Sequence, residues 1–468
     1  MVKDIRPPTE RLSQRSEELG PDRRTLARHD STLLELTAQL IESRAPHQDP
    51  LQDDLERELP LRTERVKSYI EGNCVLITGA AGSVGKALTA AVADLGATKL
   101  FLVDKDRAVT QPQPLWQRQN LDAVAEEIDL SDETAVAKFF TAYGSEIDVV
   151  FHLAAERNVH TCELYPVEAY LDNVVALQNV LVQTEQHNIQ RLVYSSSRKA
   201  TIYFPENVLG LTKRLGEVLV RSVATGSTTR YSTVRYIAII ENSVVLSIFK
   251  DHAERAQALP VTDCDISHVF QNMNEAVHLT LNAALHGGGG ELFGARNLGW
   301  SKQILDLALH TIVKSKNRLP VVITGLREGD NHYEYGMIDL DDSETPIFNS
   351  LECQRLTSHG VYVESNGYQP PKGFEERLKV ISRLAQDKRV TSEEFVDHLR
   401  DLVTNVVDYN VLLANADTLR RIRSINRLNP DSGISTLVDK TLGSQCDGVS
   451  RCEYTTTVQL SSPRQGST

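Results

Sequence analysis

No apolar run in the chain approaches the roughly 18–20 residues that cross a bilayer. The opening stretch, MVKDIRPPTERLSQRSEELGPDRR, is charged throughout and has no apolar h-region. A cytoplasmic protein with no membrane span and no export signal is expected. Cysteine is sparse: six residues (Cys74, Cys162, Cys264, Cys353, Cys446, Cys452) lie scattered, with no CxxC and no His/Cys spacing of a metal site. Buried reduced thiols explain them, and no metal is expected. Positive charge is also in short supply. Lys and Arg number 50 against 63 Asp and Glu, a net charge of −13. A broad nucleic-acid surface is therefore not expected, because a phosphate backbone would be repelled.

What is present suffices for a large core: 468 residues, 41% of them hydrophobic, a length that suggests two or three domains. Three segments are expected. Residues 1–70 form a helical N-terminal extension, in which Leu33, Leu36, Leu40 and Ile41 share a face and Thr32 with Glu35 reads as a capping box. That helix should pack on the main body or on a second subunit. Residues 71–370 alternate β-branched runs (CVLITG, KLFLVD, DVVFHLAA, RLVYSSS, YSTVRYIAII) with helical windows. This predicts an α/β fold, a Rossmann-type doubly wound parallel sheet with a smaller C-terminal substrate-binding portion. Residues 371–468 form a helical C-terminal extension with a disordered Ser/Thr/Gly-rich tail. Phe374, Leu378, Ile381 and Ala385 share one helix face there, and Thr391 with Glu394 reads as a helix cap. The cluster Arg420, Arg421, Arg423 and Arg427 reads as a solvated helix face.

The strongest local signal is VLITGAAGSVGKALTAAV. Gly79 allows a tight turn, Gly82 lets the backbone approach a pyrophosphate, and Gly85 lets helix and strand pack closely. Ser83 and Val84 open the helix, whose N–H groups would hold the phosphates. Asp104 ends the next strand near the roughly 20-residue spacing expected of a carboxylate on the adenosine ribose. That charge favours NAD, while Lys105 and Arg107 beside it keep NADP open. Asp129 and Leu130 follow the third strand, where they would meet the adenine.

The Gly-x-x-Gly-x-x-Gly spacing, with FHLAA at 151–155, resembles the extended short-chain dehydrogenase/reductase superfamily. In that superfamily Ala154 and Ala155 would lie along the cofactor, and His152 is read as structural. VFHLAAERNVHTCELYPVEAYLDNV, SSRKA, TKRLGE, SVVLSIFK and GLREGDNHYE occur in the order seen in the polysaccharide-biosynthesis (CapD-like) branch of nucleotide-sugar 4,6-dehydratases and epimerases. The resemblance covers roughly residues 73–345. It implies NAD chemistry on a nucleotide-sugar, UDP-linked, and a homo-oligomer paired through helices.

The resemblance also shows where this chain departs. Short-chain dehydrogenases place Tyr four residues before a Lys. Here Lys213 is present, but that position is Leu209. In the branch's Ser/Thr-Asp-Lys trio, Ser197 and Lys199 match and Arg198 replaces the Asp. A guanidinium is not an acid or base at working pH. Two additional residues lie between Lys199 and Lys213 relative to the family spacing, and they bring in Tyr203 as a candidate phenol. The resemblance thus makes Ser197, Lys199, Tyr203 and Lys213 the catalytic candidates, with Lys213 also on the cofactor. Arg157, Arg198, Asn207, His268, Arg327 and Asp330 fall at substrate positions. Three functions stay open: a 4,6-dehydratase on a UDP-N-acetylhexosamine type of substrate, an epimerase or ketoreductase that eliminates no water, and a non-catalytic NAD- and nucleotide-binding partner. The resemblance puts the 4,6-dehydratase first, while loss of the Asp acid counts toward the second, because epimerisation at C4 needs no leaving hydroxyl.

Overall fold

The β-branched runs build one sheet. In the computed structural model, residues 6–44, 49–57, 63–111, 122–200, 207–268, 270–295, 302–325, 361–364, 373–387 and 389–406 are described. Strands β1 (Cys74–Thr78), β2 (Lys99–Asp104), β3 (Asp122–Glu127), β4 (Val149–His152), β5 (Arg191–Ser197), β6 (Arg230–Tyr236) and β7 (Gly289–Ala295) run parallel. An antiparallel edge strand, β8 (Val361–Glu364), pairs with β7. The spatial order is β8-β7-β6-β5-β4-β1-β2-β3. The order reverses between β1 and β4, and such a switch point opens a crevice at the strands' carboxyl ends. Thr78 at the end of β1 pairs with both Val103 and His152, so the glycine loop and the FHLAA segment emerge side by side.

Successive strand residues point to opposite faces, and both faces are covered. Helices α1 (Pro8–Glu18) and α2 (Ser31–Arg44) precede the sheet. On one face α3 (Ser83–Asp94) and a later helix (Met273–His286) set Leu88, Val92, Leu279 and Leu281 against Ile77, Leu102, Phe151 and Val193. On the other, α4 (Glu133–Tyr143), α5 (Ala176–Gln186) and α6 (Val208–Ala224) set Phe139, Val180 and Leu215 against Leu76, Phe101, Val150 and Leu192. Among the described residues no helix is long and apolar enough to cross a membrane.

The described helices before and after the sheet pack on different parts of this body. Leu12, Leu33, Leu36 and Leu40 of α1 and α2 share a core with Phe249, Leu259, Leu305 and Val321. The same helices also satisfy a strand edge. Ser16 Oγ accepts from the N–H of Ile323 and Thr37 Oγ1 from that of Val321, both at 2.9 Å. Each hydroxyl donates to its own helix as well, to Leu12 O and Leu33 O. Buried edge N–H groups are thereby paired. The expected Thr32/Glu35 capping box is not used. The helix starts at Ser31, and Leu33 N donates to Asp30 Oδ1 at 2.8 Å, because Asp30 is the residue just before the first turn.

At the other end, Phe374, Leu378 and Ile381 of α7 (Phe374–Gln386) and Phe395, Leu399 and Leu402 of α8 (Ser392–Val406) join the α6 core. Here the expected cap forms: Glu394 N donates to Thr391 Oγ1 at 3.3 Å, and Thr391 N to Glu394 Oε2 at 3.0 Å. Val208 through Arg221 of α6 are buried without a break, so this helix has packed neighbours on every side. The arginines at 420, 421, 423 and 427 and the tail lie outside the described residues.

Candidate active site

A cavity of about 570 Å³ runs along the carboxyl ends of the strands, from Asp104 and Asp129 past the glycine loop to Ser197, Lys199 and Lys213. Its middle is built from small residues for steric reasons. Gly79 has φ +71°, and a Cβ there would stand 2.7 Å from Ala154 N. A Cβ on Gly85 would meet Gly79 O at 2.2 Å, so α3 can cross β1 this closely only without a side chain. Gly82 is the N-cap of α3 and supplies no side-chain bond. The first turn at Ser83 and Val84 therefore opens on the cavity with its N–H groups and the positive end of the helix dipole. Such a cradle fits a pyrophosphate. Ser83 also donates to Asn242 Oδ1, and Arg157 donates from Nη1 to Asn242 O at 3.3 Å. The loop after β6 is thus tied to the glycine loop on one side and to the loop after β4 on the other.

At one end, Asp104 accepts from Ala81 N and from Asp106 N, each at 2.9 Å. Each carboxylate oxygen keeps a second acceptor site for a ribose hydroxyl. Asp129 accepts from Ser131 N at 2.8 Å, and Ile128 and Leu130 form the apolar wall beside it. These residues fit an adenosine group, so the set suits a dinucleotide from phosphate to adenine.

The opposite end is cationic and hydroxylic. β5 delivers Ser195, Ser196 and Ser197, a short turn delivers Arg198 and Lys199, and α6 delivers Leu209 and Lys213 to the same cavity. Lys199 N donates to Ser197 Oγ at 3.2 Å. Lys213 is buried and donates from Nζ to Ser195 O at 2.8 Å, with its ammonium 5.1 Å from the Tyr194 ring centre. Burial pulls Lys213 down to about 8, which makes it a proton acceptor close to neutral pH. Arg198 is pulled down to about 10 by burial and stays charged at pH 7. His152 lies fully buried at the end of β4, with Nδ1 3.0 Å from Thr78 Oγ1. Burial and the nearby Lys213 charge hold His152 at about 3, hence neutral.

Beneath this end lies a charge network that the sequence reading missed. Glu217 of α6, fully buried, accepts from Ser196 Oγ at 2.6 Å, from Arg235 Nε and Nη2 at 2.7 Å, and from Arg214 Nη1 at 3.0 Å. It fastens β5, β6 and α6 together directly under the reactive residues. The available signal was a Glu four positions after Lys213 and three after Arg214, matched by the Arg of VRY. Asn242, Asp172 and Tyr236 also line the cavity unforeseen.

Of the sequence-derived candidates, Ser197, Lys199, Lys213, Arg157 and Arg198 line the cavity together with Gly79, Gly82, Ser83, Val84, Gly85, Asp104, Asp129, Leu130, Ala154 and Ala155. Asn207 caps α6, accepting from Gly210 N at 2.8 Å, and is not among the residues that line the cavity. His268 stands in a short strand near the charges of Arg198 and Lys199, which add to burial in holding it at about 3. Tyr203, Arg327 and Asp330 lie outside the described residues.

Residues 75–353 match the family model described as polysaccharide biosynthesis protein. The chain belongs to that family. The chain is 27% identical over 280 residues to the probable polysaccharide biosynthesis protein EpsC of Bacillus subtilis, covering 58% of this chain and 46% of that one. It is 32% identical over 196 residues to a UDP-glucose 4-epimerase of Rickettsia akari, covering 40% and 55%. The chain thus spans about half the length of these curated relatives. Among solved structures, Pen from Bacillus thuringiensis superposes with a TM-score of 0.52 at 26% identity, covering 56% of this chain and 83% of Pen. The extended short-chain dehydrogenase/reductase resemblance and its polysaccharide-biosynthesis branch are thereby shown, as is the Rossmann-type sheet.

Proposed function

We propose that this chain binds NAD and oxidises, then re-reduces, a carbinol of a nucleotide-linked sugar, without eliminating water. The observation that carries this reading is a single cavity that joins an open phosphate cradle to the Ser197–Lys199–Lys213 cluster. When bound, the dinucleotide supplies the hydride acceptor and donor. Lys213, largely neutral above about pH 8, takes the proton of the sugar hydroxyl as the hydride leaves and returns it when the ketone is reduced. Ser197 hydrogen-bonds the same oxygen. Arg198 and Lys199 hold negative charge close by, on the sugar's phosphates.

Leu209 has no proton to move, and Lys213 takes over the role of the expected tyrosine. The choice against elimination comes from Arg198, which stands where the branch's Asp acid would be and stays charged at pH 7. A departing hydroxyl needs an acid. Among the described residues the reactive end offers serines, Arg198, Lys199, Lys213 and Tyr236, while the cavity's carboxylates (Asp104, Asp106, Asp129, Asp172) are grouped with the adenosine-facing residues. The Tyr236 hydroxyl is engaged with Thr280 at 2.5 Å, and burial pushes it up to about 12. The UDP-glucose 4-epimerase relative supports the same class, with a UDP-linked hexose as substrate. A second reading, 4,6-dehydration of a UDP-N-acetylhexosamine, draws on Lys199, which lines the cavity beside Ser197 and would serve as the base for the proton next to a ketone.

A single-turnover experiment separates these readings from a non-catalytic role. The full chain with NAD is mixed with UDP-glucose, UDP-N-acetylglucosamine and their C4 epimers. Transient NADH with at least one sugar is expected. Dinucleotide binding without NADH from any sugar would move the protein to the non-catalytic class.

A further inference from the structure

Lys105 follows the ribose-facing Asp104 at the end of β2, and its ammonium donates to Asp172 Oδ2 at 2.5 Å. Asp172 belongs to the helical turn Leu171–Val175, which leads into α5 after β4. In the sheet, β1 stands between β2 and β4. The pair therefore reaches across the carboxyl end of β1, from one wall of the cavity to the other, and both residues line it. Three more acids, Asp104, Asp106 and Asp129, line the same end. Resting on the dinucleotide reading above, we propose that the Lys105–Asp172 ion pair is a strap over the adenosine end that retains bound NAD and, by committing Lys105 to Asp172, denies a 2′-phosphate its cation.

The chemistry follows from charge and position. A 2′-phosphate next to Asp104 is tolerable only if a cation meets it. Lys105 is the lining cation adjacent to Asp104 among the described residues, and Asp172 already occupies it; Arg107, exposed two residues on, does not line the cavity. Asp172 is largely buried while Lys105 is 58% exposed. The lysine can thus swing outward to admit a ligand and return over it. A pair at the rim contributes little to folding, so its removal should spare the fold.

The test uses the full chain and reads binding, not turnover. NADH and NADPH are titrated by fluorescence, and NADH release is followed by stopped flow, for wild type, Asp172→Asn, Asp172→Glu and Lys105→Met. Wild type should prefer NADH. Asp172→Asn frees the ammonium and should lower the NADPH-to-NADH Kd ratio by about tenfold or more. Asp172→Glu should keep the wild-type ratio, and Lys105→Met should not improve NADPH. Both Asp172→Asn and Lys105→Met should release NADH about threefold faster or more. If Asp172→Asn and Lys105→Met shift the ratio alike, or neither shifts it, the strap is wrong while the cofactor site stands. If wild type binds neither dinucleotide, the cofactor reading falls and the strap with it.

Discussion

Lys213→Met separates the energetic role of the buried lysine from its chemical one. A lysine titrating at about 8 in the folded chain, against an ordinary value of 10.5, is protonated at neutral pH at a cost to folding. Each pKa unit corresponds to about 1.4 kcal/mol, so that cost is about 3 kcal/mol below pH 8. The sign follows from proton counts. Between about pH 8 and 10.5 the unfolded chain holds a proton that the folded chain has released, so wild-type stability rises with pH across this window. Met removes the charge but leaves Ser195 O without its 2.8 Å donor, a loss of about 1–3 kcal/mol. The variant should therefore equal or exceed wild-type stability by up to about 2 kcal/mol at pH 7. That advantage should reverse as pH approaches 10.5, while turnover falls by about 100-fold or more at every pH. Urea melts of both proteins at half-unit pH steps, with NADH formation measured in parallel, check this. A stability difference that stays flat from pH 7 to 10.5 would refute the buried-ammonium reasoning.

Three further outcomes follow. Glu217→Gln leaves Arg214 and Arg235 buried without their counter-charge, and it should cost about 3–5 kcal/mol in chemical denaturation at pH 7; a loss under 1 kcal/mol would mean the network is not a fastening. Burial opposes ionisation of Glu217, but Arg235 and Arg214 still hold it below its ordinary value, so the contribution it makes is present above pH 4.5 and should be lost as pH falls further. Gly85→Ala forces a Cβ to within 2.2 Å of Gly79 O, which should weaken NADH binding about tenfold or more with about 1–3 kcal/mol of destabilisation; unchanged NADH titrations would contradict the cradle. Phe395→Ala empties a fully buried site against Tyr170, whose ring lies 5.5 Å away edge-on, and should cost about 3–5 kcal/mol in the same melts, whereas a neutral result would show that α8 does not belong to the α6 core.

How much of this was legible in the sequence depends on whether the signal was local. The glycine trio, its following helix and Asp104 are fixed by turn sterics and spacing, and they stand together as expected. Strand alternation likewise marked β1, β2, β4, β5 and β6. The helix cap at Thr391 was legible because both partners lie within one turn. At Asp30 the competing cap also takes an ion pair from Arg15 at 2.6 Å, a long-range contact invisible to a local pattern. The Glu217 network, the Lys105–Asp172 pair and the Asn242 bridge join residues 18, 67 and 159 positions apart. No spacing rule reaches that far, and only the strand order brings them together. Ser16 and Thr37 read as ordinary helix residues for the same reason, although both cap the edge of a strand some 300 residues away.

The decisive measurement is mass spectrometry and NMR of a UDP-linked hexose incubated with the full chain and NAD in heavy water. Oxidation and return at one carbinol predicts a product of unchanged mass with that centre inverted, formed alongside transient NADH. A product lighter by one water, with deuterium next to the former carbinol, would contradict it and assign the cavity to elimination, with Lys199 as the base.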